Sequence, residues 1–397
     1  MGGKIINNLS SFPVVFVSGK GAVLKDSDGK KYIDFVSGIG VNCLGHNHPA
    51  VVKALKRQVK REIHISNYYN SDTGLRFASR LLELTGFEKV FFGNSGAEAN
   101  ECAIKLARKW GYTFAENSGL KGESKQVIVT LKKSFHGRTV AALTATGQDK
   151  FHPGCFGPYP EGFRYIEAGD YQALENIIDD SVCAVLIECV QGEGGVNVID
   201  RDWALALAER ARKVNALVMA DEVQTGIGRT GVFLASQELG IEPDVVTLAK
   251  GICAGVPMGA VLMRNRARDV FSAGDHQSTF GGNPLACSAG LVVLETVGKK
   301  DFLDNVSRSG EYIRSTIKGW NLPCIKEIRG KGLMIGVELK NDEKFTAGFV
   351  QKTLLEAGLC ISTAGPYVLR FLPPLVITKK EIDEGLRLLY LVLSQKK

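Results

Sequence analysis

Short, unbroken apolar runs, each closing near a polar or ionisable residue, recur along this chain and alternate with helical patterns. Residues 89–92 lead into Asn94, 183–187 end at Glu188, 216–220 end at Asp221, and 245–248 end just before Lys250. Residues 127–131 and 258–263 are further runs of this kind, and amphipathic stretches such as 97–110 and 203–214 lie between them. A strand with one wet face would alternate apolar and polar side chains. These runs do not alternate, so both faces must be covered, as in a parallel sheet flanked by helices. The expected class is α/β with a mostly parallel sheet. In such sheets ligands lie beyond the carboxyl ends of the strands, where Asn94, Glu188, Asp221 and Lys250 all fall. Any one of them could be a helix cap or a surface charge; together they predict one site.

After about residue 290 the pattern changes to a helical stretch, a strand at 333–339, a helix near 345–357, a strand at 368–372 and a last helix from Lys379. This predicts a smaller α+β domain. The first 45 residues have hairpin character, with Asp28-Gly29 as the turn signal. The expected organisation is an N-terminal segment, 1–48, packing with the small domain, a large domain, 49–288, and a C-terminal small domain, 289–397. A length of 397 residues accommodates this division.

Composition removes several classes of function. No apolar run approaches the roughly 20 residues that a membrane span needs. The start, with a four-residue apolar run at 14–17, lacks a signal-peptide core, and Gly2 lacks the hydroxyl residue of a myristoylation site. A cytoplasmic protein is expected. The nine cysteines include no C-x-x-C spacing and several sit in apolar runs, so they are expected reduced and buried. The net charge is +7, but no basic run is interleaved with aromatics. Residues 53–61 hold the densest basic stretch, and Val52, Leu55, Val59 and Ile63 recur beside it at helical spacing, which predicts a solvated helix face. Nucleic-acid binding is not expected. No metal is expected either: His46 and His48 sit in a Gly/Asn/Pro-rich loop with no acid or cysteine spacing to complete a ligand set. Gly226, Gly228 and Gly231 match the dinucleotide fingerprint, but Asp221-Glu222 immediately precede them and no helix clearly begins there.

Lys250 follows an apolar run and precedes Gly251. A lysine amine forms Schiff bases with carbonyl cofactors. Its meaning comes from Asp221, about 30 residues earlier, at the end of ALVMAD. A buried carboxylate beside a pyridine nitrogen keeps that nitrogen protonated, which is the electron sink pyridoxal phosphate chemistry requires. The cofactor's phosphate needs a cradle. Ser95-Gly96-Ala97-Glu98 opens a helix with Ser95 at the N-cap and Glu98 at the capping-box position, and free amides there bind phosphate; a merely well-capped helix reads the same. Ser278-Thr279 offers a second hydroxyl source. Phe135 could stack on a planar ring or belong to the core. Arg138 suits bidentate carboxylate recognition. Arg370 sits among apolar residues and needs a partner, either a substrate carboxylate or Glu193 in the Gly-rich loop ECVQGEGG.

The segments NSGAEAN, SFHGRT, ADEVQTGIGRTG, TLAKG, STFGGNPLA and LRFLPP, in this order, resemble the class III pyridoxal-phosphate aminotransferases of fold type I. The similarity runs from about Phe12 to the C-terminus. Within the class, SFHGRT, HQSTFGGNP and LRFLPPL look most like acetylornithine aminotransferases of arginine biosynthesis. The resemblance implies that Lys250 is the Schiff-base lysine and that Asp221 pairs with the pyridine nitrogen. It implies that Glu222 and Val223 belong to the cofactor-binding segment and that Gln224 reaches the ring's phenolic oxygen. Gly96 and Ala97 would hold the phosphate, Thr279 would reach it from the neighbouring subunit of a homodimer, and Phe135 would stack on the ring. Arg138 would take the donor's α-carboxylate with Ser278 near the acyl end. Glu193 would gate Arg370, which takes the α-carboxylate of 2-oxoglutarate, and Glu188 would lie near the cofactor.

Two features depart from the family's pattern: Cys189 stands where proline is common, and 66–74 carries a second tyrosine in a stretch expected near the substrate tail. They leave ornithine, 4-aminobutyrate, succinylornithine and a lysine-pathway intermediate as alternative donors. An aminomutase or decarboxylase could use the same lysine and aspartate, but Arg138 and Arg370 together favour two carboxylate-bearing substrates in turn.

Overall fold

A computed structural model describes residues 11–395; Gly2 and the rest of the first ten residues lie outside this range. Three strands open it: β1 (Phe16–Lys20), β2 (Val23–Asp26) and β3 (Lys31–Asp34). The expected turn forms at Asp28-Gly29. Asp26 Oδ1 accepts from the amides of Asp28 and Lys30 at 3.0 and 2.8 Å, and Gly29 takes the left-handed φ of +88° that the turn requires.

The central sheet contains β4 (Lys89–Gly93), β5 (Val127–Leu131), β6 (Phe163–Ile166) and β7 (Val182–Glu188). A small hairpin, β8 (Val190–Gln191) with β9 (Asn197–Val198), stands apart from it. The sheet continues with β10 (Leu217–Asp221), β11 (Val245–Leu248) and β12 (Gly259–Met263). Its order is β4-β12-β11-β10-β7-β5-β6. Every residue of β7, β10, β11 and β12 is buried, as the unbroken apolar runs require. Alternate side chains serve opposite layers. Val185 and Ile187 pack with Trp203 and Leu207 of the helix Arg201–Lys213, while Ala184 and Leu186 pack with Ala103 and Leu106 of the helix Gly96–Asn117.

Only β12 runs against the rest. The link from β11 to β12 is residues 249–258, too short for the crossover of a dozen or more residues that a parallel pairing needs. The edge strand β6 went unforeseen because Phe-Arg-Tyr-Ile offers no apolar run.

The C-terminal part contributes β13 (Ile325–Lys331), β14 (Met334–Leu339), β15 (Leu359–Cys360), β16 (Ser362–Thr363) and β17 (Val368–Phe371). Four of these form the sheet β13-β14-β17-β16, whereas β15 leaves to pair with β3, Leu359 opposite Ile33. One cluster of buried side chains runs from Phe35 and Leu44 through Leu248 and Leu294 to Ile335 and Phe371, so the N-terminal strands and both sheets share a core. The final helix, Lys379–Leu393, begins with a complete capping box between Thr378 and Glu381, worth about 1 kcal/mol.

The basic stretch near residue 55 is helical, Pro49–Val59, but its buried side chains are Val51 and Gln58; Val59 and Ile63 are exposed. Gln58 is buried because its amide donates to Glu62, a satisfaction that an apolar pattern cannot show. Eight of the nine cysteines are buried and none is bonded to another; Cys155 is exposed. No helix among the described residues is long and apolar enough to cross a membrane.

Candidate active site

Asp221 and Glu188 close adjacent parallel strands in register, so their side chains leave the sheet at the same edge. Lys250 lies beyond the end of β11 with φ +47°, a left-handed conformation that a non-glycine residue holds only when its surroundings enforce it. These residues border a cavity of about 430 Å³, walled on other sides by Gly96, Ala97, Phe135 and Val223. Burial pushes the Lys250 ammonium below the ordinary lysine range, with Glu193, Asp221 and Glu188 pulling the other way. A lysine so placed exposes a larger fraction of neutral, nucleophilic amine.

Asp221 is fixed by three groups. Its Oδ2 lies 2.7 Å from His136 Nδ1 and accepts from Asn100 Nδ2 at 2.8 Å, and its Oδ1 accepts from the Val223 amide at 3.0 Å. Asn100 also donates to the His136 carbonyl at 2.6 Å, and the His136 amide donates to Thr146 Oγ1 at 2.9 Å. Sequence reasoning missed Asn100 and His136. The signal for Asn100 was present: an amide among Ala99, Cys102 and Ala103 on the buried face of a helix must find a partner.

The helix Gly96–Asn117 starts at the cavity wall. Ser95 Oγ accepts from the Glu98 amide at 3.1 Å. The expected reciprocal half of the capping box is displaced: Glu98 Oε2 accepts from the amide and side chain of Asn94 at 2.7 and 2.9 Å instead. As first-turn residues, Gly96 and Ala97 have amides with no partner within the helix, and both line the cavity. A Cβ at Gly96 would come within 2.7 Å of Val223, so only glycine lets this helix start close so tightly on the strand end that carries Asp221.

The two arginines are in opposite states. Arg370 is 2% exposed. Its Nη1 donates to the Gly192 carbonyl at 3.0 Å and to Gln224 Oε1 at 3.3 Å, its Nε donates to Ser362 Oγ at 3.2 Å, and it forms an ion pair with Glu193. Of the two partners the sequence left open, the structure holds Glu193. Arg138 lines the cavity and is exposed, its guanidinium carbon 5.5 and 4.3 Å from the ring centres of Phe135 and Phe151.

The class-III aminotransferase family profile matches residues 6–393. This chain is a class-III aminotransferase. It is 45% identical to the acetylornithine aminotransferase of Caldanaerobacter subterraneus subsp. tengcongensis, across 98% of this chain and 97% of that protein. It is also 45% identical to the acetylornithine aminotransferase of Methanocaldococcus jannaschii, across 94% and 91%. Among solved structures, the ornithine aminotransferase of Toxoplasma gondii superposes with a TM-score of 0.93 at 35% identity, across 99% of this chain and 93% of that one.

In the aminotransferase's remaining predicted positions the structure discriminates. Glu188 is buried at the cavity, where its two oxygens accept from the amides of Phe135 and Gly192 at 2.8 and 3.1 Å. Burial pushes its carboxyl up to about 7, against the lowering field of His136. The Glu222 side chain turns away from the cavity; it accepts from Thr225 and from the amides of Ala235 and Ser236, holding the start of the helix Ala235–Leu239. Burial raises its carboxyl too. Ser278 Oγ accepts from Asn94 Nδ2 and from the Gly281 amide, both at 3.1 Å. Thr279 is exposed and outside the Lys250 cavity. Residues 66–71 and Gly74 line a separate surface cavity of about 590 Å³, and Asn67 donates to the Ser278 carbonyl. The glycines of the dinucleotide-like match allow close packing against other parts of the chain: a Cβ at Gly231 would strike Ser307 Oγ at 2.1 Å, and one at Gly228 would strike Val297 at 2.5 Å.

Proposed function

We propose that the aminotransferase binds pyridoxal 5'-phosphate at the Lys250 cavity and transfers the terminal amino group of N2-acetyl-L-ornithine to 2-oxoglutarate. The products are N-acetyl-L-glutamate 5-semialdehyde and L-glutamate, a step of arginine biosynthesis. The donor is supported by the relatives named acetylornithine aminotransferases at 45% identity. The fit of the cofactor is supported by free helix amides at one wall, a carboxylate held by three donors at another, and a half-buried lysine between strand ends. Bound there, the cofactor would supply a carbonyl carbon to carry the amino group and a protonated ring to draw off electrons.

The chain's own residues divide the work. The Gly96 and Ala97 amides would hold the phosphate at a helix start. Asp221, steadied by His136 and Asn100, would keep a proton on the ring nitrogen. Val223 and Phe135 would pack on the ring, and Gln224 would reach its phenolic oxygen. Lys250 would take the proton from the donor's amino-bearing carbon and pass it to the cofactor's former carbonyl carbon, a task suited to an amine whose charge burial disfavours. Glu222 would act through the loop it anchors.

The observation that carries the substrate reading is the contrast between the arginines. With Arg370 quenched by Glu193, a donor carboxylate finds Arg138 at the cavity mouth, which points its far amine toward Lys250. When 2-oxoglutarate replaces the donor, Glu193 would swing aside and Arg370 would take the carboxylate beside the keto group. Ser278 would lie near the acyl end.

A second reading, ornithine as donor, is favoured by the TM-score of 0.93 to the Toxoplasma gondii enzyme, against 0.84 to the N-acetylornithine aminotransferase of Stenotrophomonas maltophilia. Initial rates with 2-oxoglutarate and equal concentrations of N2-acetylornithine, ornithine, succinylornithine and 4-aminobutyrate decide between them; faster turnover of ornithine would overturn the proposal. We further propose a cytoplasmic homodimer in which Thr279 serves the neighbour's phosphate, since it is exposed and outside its own chain's cavity. A domain division at 48 and 288 completes the reading, supported by the pairing of β3 with β15.

A further inference from the structure

A guanidinium has two faces and an edge, and they do different chemistry. Its faces stack on aromatic rings, while its N–H groups, all in the plane, take a carboxylate side-on. At Arg138 the guanidinium lies over two aromatic rings. Its Cζ lies 4.3 Å from the centre of the Phe151 ring and 5.5 Å from that of Phe135. Among the described residues no acceptor is bonded to its N–H groups. The two rings meet edge to face at 5.6 Å and 71°, so each also fixes the other. Phe151 closes a short turn, Asp149–Phe151, is half-buried, and carries Lys150 Nζ 4.8 Å from its ring centre. Phe151 does not line the Lys250 cavity but meets two residues that do, Arg138 and Phe135.

We propose that Phe151 is a positioning residue: it holds Arg138 by its face, leaves the N–H edge turned to the cavity mouth, and so sets the affinity for the carboxylate end of the amino donor. This rests on the reading of Arg138 as the donor's carboxylate partner. An exposed arginine without such a platform would spread over many rotamers, and confining it to the one that meets the carboxylate would cost binding free energy. A ring in place removes that cost without touching the substrate, so the effect falls on binding and not on the saturated rate.

The test uses the holoenzyme and N-acetyl-L-norvaline, the proposed donor without its terminal amine, with binding measured by titration calorimetry. Phe151→Leu keeps an apolar side chain but removes the ring. It is expected to raise Kd about three- to tenfold, the range of a partly desolvated cation–π contact. Phe151→Tyr is expected to restore Kd to within about twofold, because the ring face returns. The saturated rate with the reactive donor should change by less than about twofold in either variant, while KM follows Kd. Phe151→Leu should add nothing further in an Arg138→Gln background. If Arg138→Gln binds N-acetyl-L-norvaline as the unaltered enzyme does, the reading of Arg138 itself fails. If Arg138→Gln weakens binding and Phe151→Leu does not, the positioning role alone fails. Failure of Phe151→Tyr to restore Kd, or a parallel fall in the saturated rate, would make Phe151 a packing residue and overturn the proposal.

Discussion

Replacing Asp221 by asparagine changes one atom and removes one charge, and the structure shows why no rotamer rescues it. Oδ2 faces two groups, His136 Nδ1 at 2.7 Å and Asn100 Nδ2 at 2.8 Å, and Oδ1 faces the Val223 amide at 3.0 Å. If the new NH₂ takes the Oδ2 position it confronts the Asn100 donor and the imidazole; if it takes the Oδ1 position it confronts a main-chain N–H. Either way at least one buried donor loses its acceptor, and the charge that would face the ring nitrogen is gone. A buried charge-assisted contact of this kind is worth roughly 2–4 kcal/mol, which predicts a fall in the rate of each half-reaction of about 10²- to 10³-fold. The assay is single-turnover absorbance with donor alone and with 2-oxoglutarate alone, on protein whose cofactor content has been measured so that loss of cofactor is not read as loss of rate. His136→Asn should give a smaller fall, because the carboxylate and two of its donors remain. A rate for Asp221→Asn within threefold of the unaltered enzyme would show that the carboxylate serves only to pin its strand end.

Lys250→Ala should abolish steady-state turnover while phosphate-anchored cofactor remains bound, measured by absorbance after dialysis; normal turnover would end the assignment of Lys250. Glu193→Ala should raise activity on α-amino groups, such as that of glutamate, relative to the donor's terminal amine. Arg370→Ala should slow the 2-oxoglutarate half-reaction by on the order of 10²-fold and the donor half-reaction much less; equal slowing would reduce the pair to a structural contact. For Glu188 the native carboxyl, pushed up to about 7, binds a proton more tightly than the unfolded one at 4.5. Its contribution to stability is therefore complete below pH 4.5 and lost as pH rises through 7, about 3 kcal/mol in all. Glu188→Gln should flatten the stability profile of the cofactor-free protein across that window in urea titrations, and an unchanged slope would refute the shift.

The sheet was legible because burial on both faces leaves no polar residue inside a strand, so β7, β10 and β11 could be read to within a residue or two of their ends. The gathering of Asn94, Glu188, Asp221 and Lys250 around one cavity was legible by the same logic, since a polar residue that closes such a run stands at the sheet's edge. Three kinds of feature were not legible. The reversal of β12 depends on loop length more than on its own residues. The donors to Asp221 come from a helix face and from a loop, 121 and 85 residues away in the chain, and nothing local marks their convergence. Glu222 was named only through the family resemblance, and the direction its side chain takes was not legible, because successive residues past a strand end diverge and this one meets the start of the helix Ala235–Leu239.

The pairing of β3 with β15 also orders events in time. Ile33 donates to the Gly358 carbonyl at 2.8 Å and Phe35 to that of Cys360 at 2.9 Å, partners separated by more than 300 residues. During synthesis β1, β2 and β3 emerge more than 300 residues before the segment that pairs with β3. An exposed strand edge invites pairing with other chains until it is covered. The β3 edge is therefore shielded only once residues 358–360 have arrived, so completion of this sheet waits for a segment made more than 300 residues later. A chain stalled or cut before Gly358 should present the β3 edge to its neighbours and aggregate where the full-length chain does not.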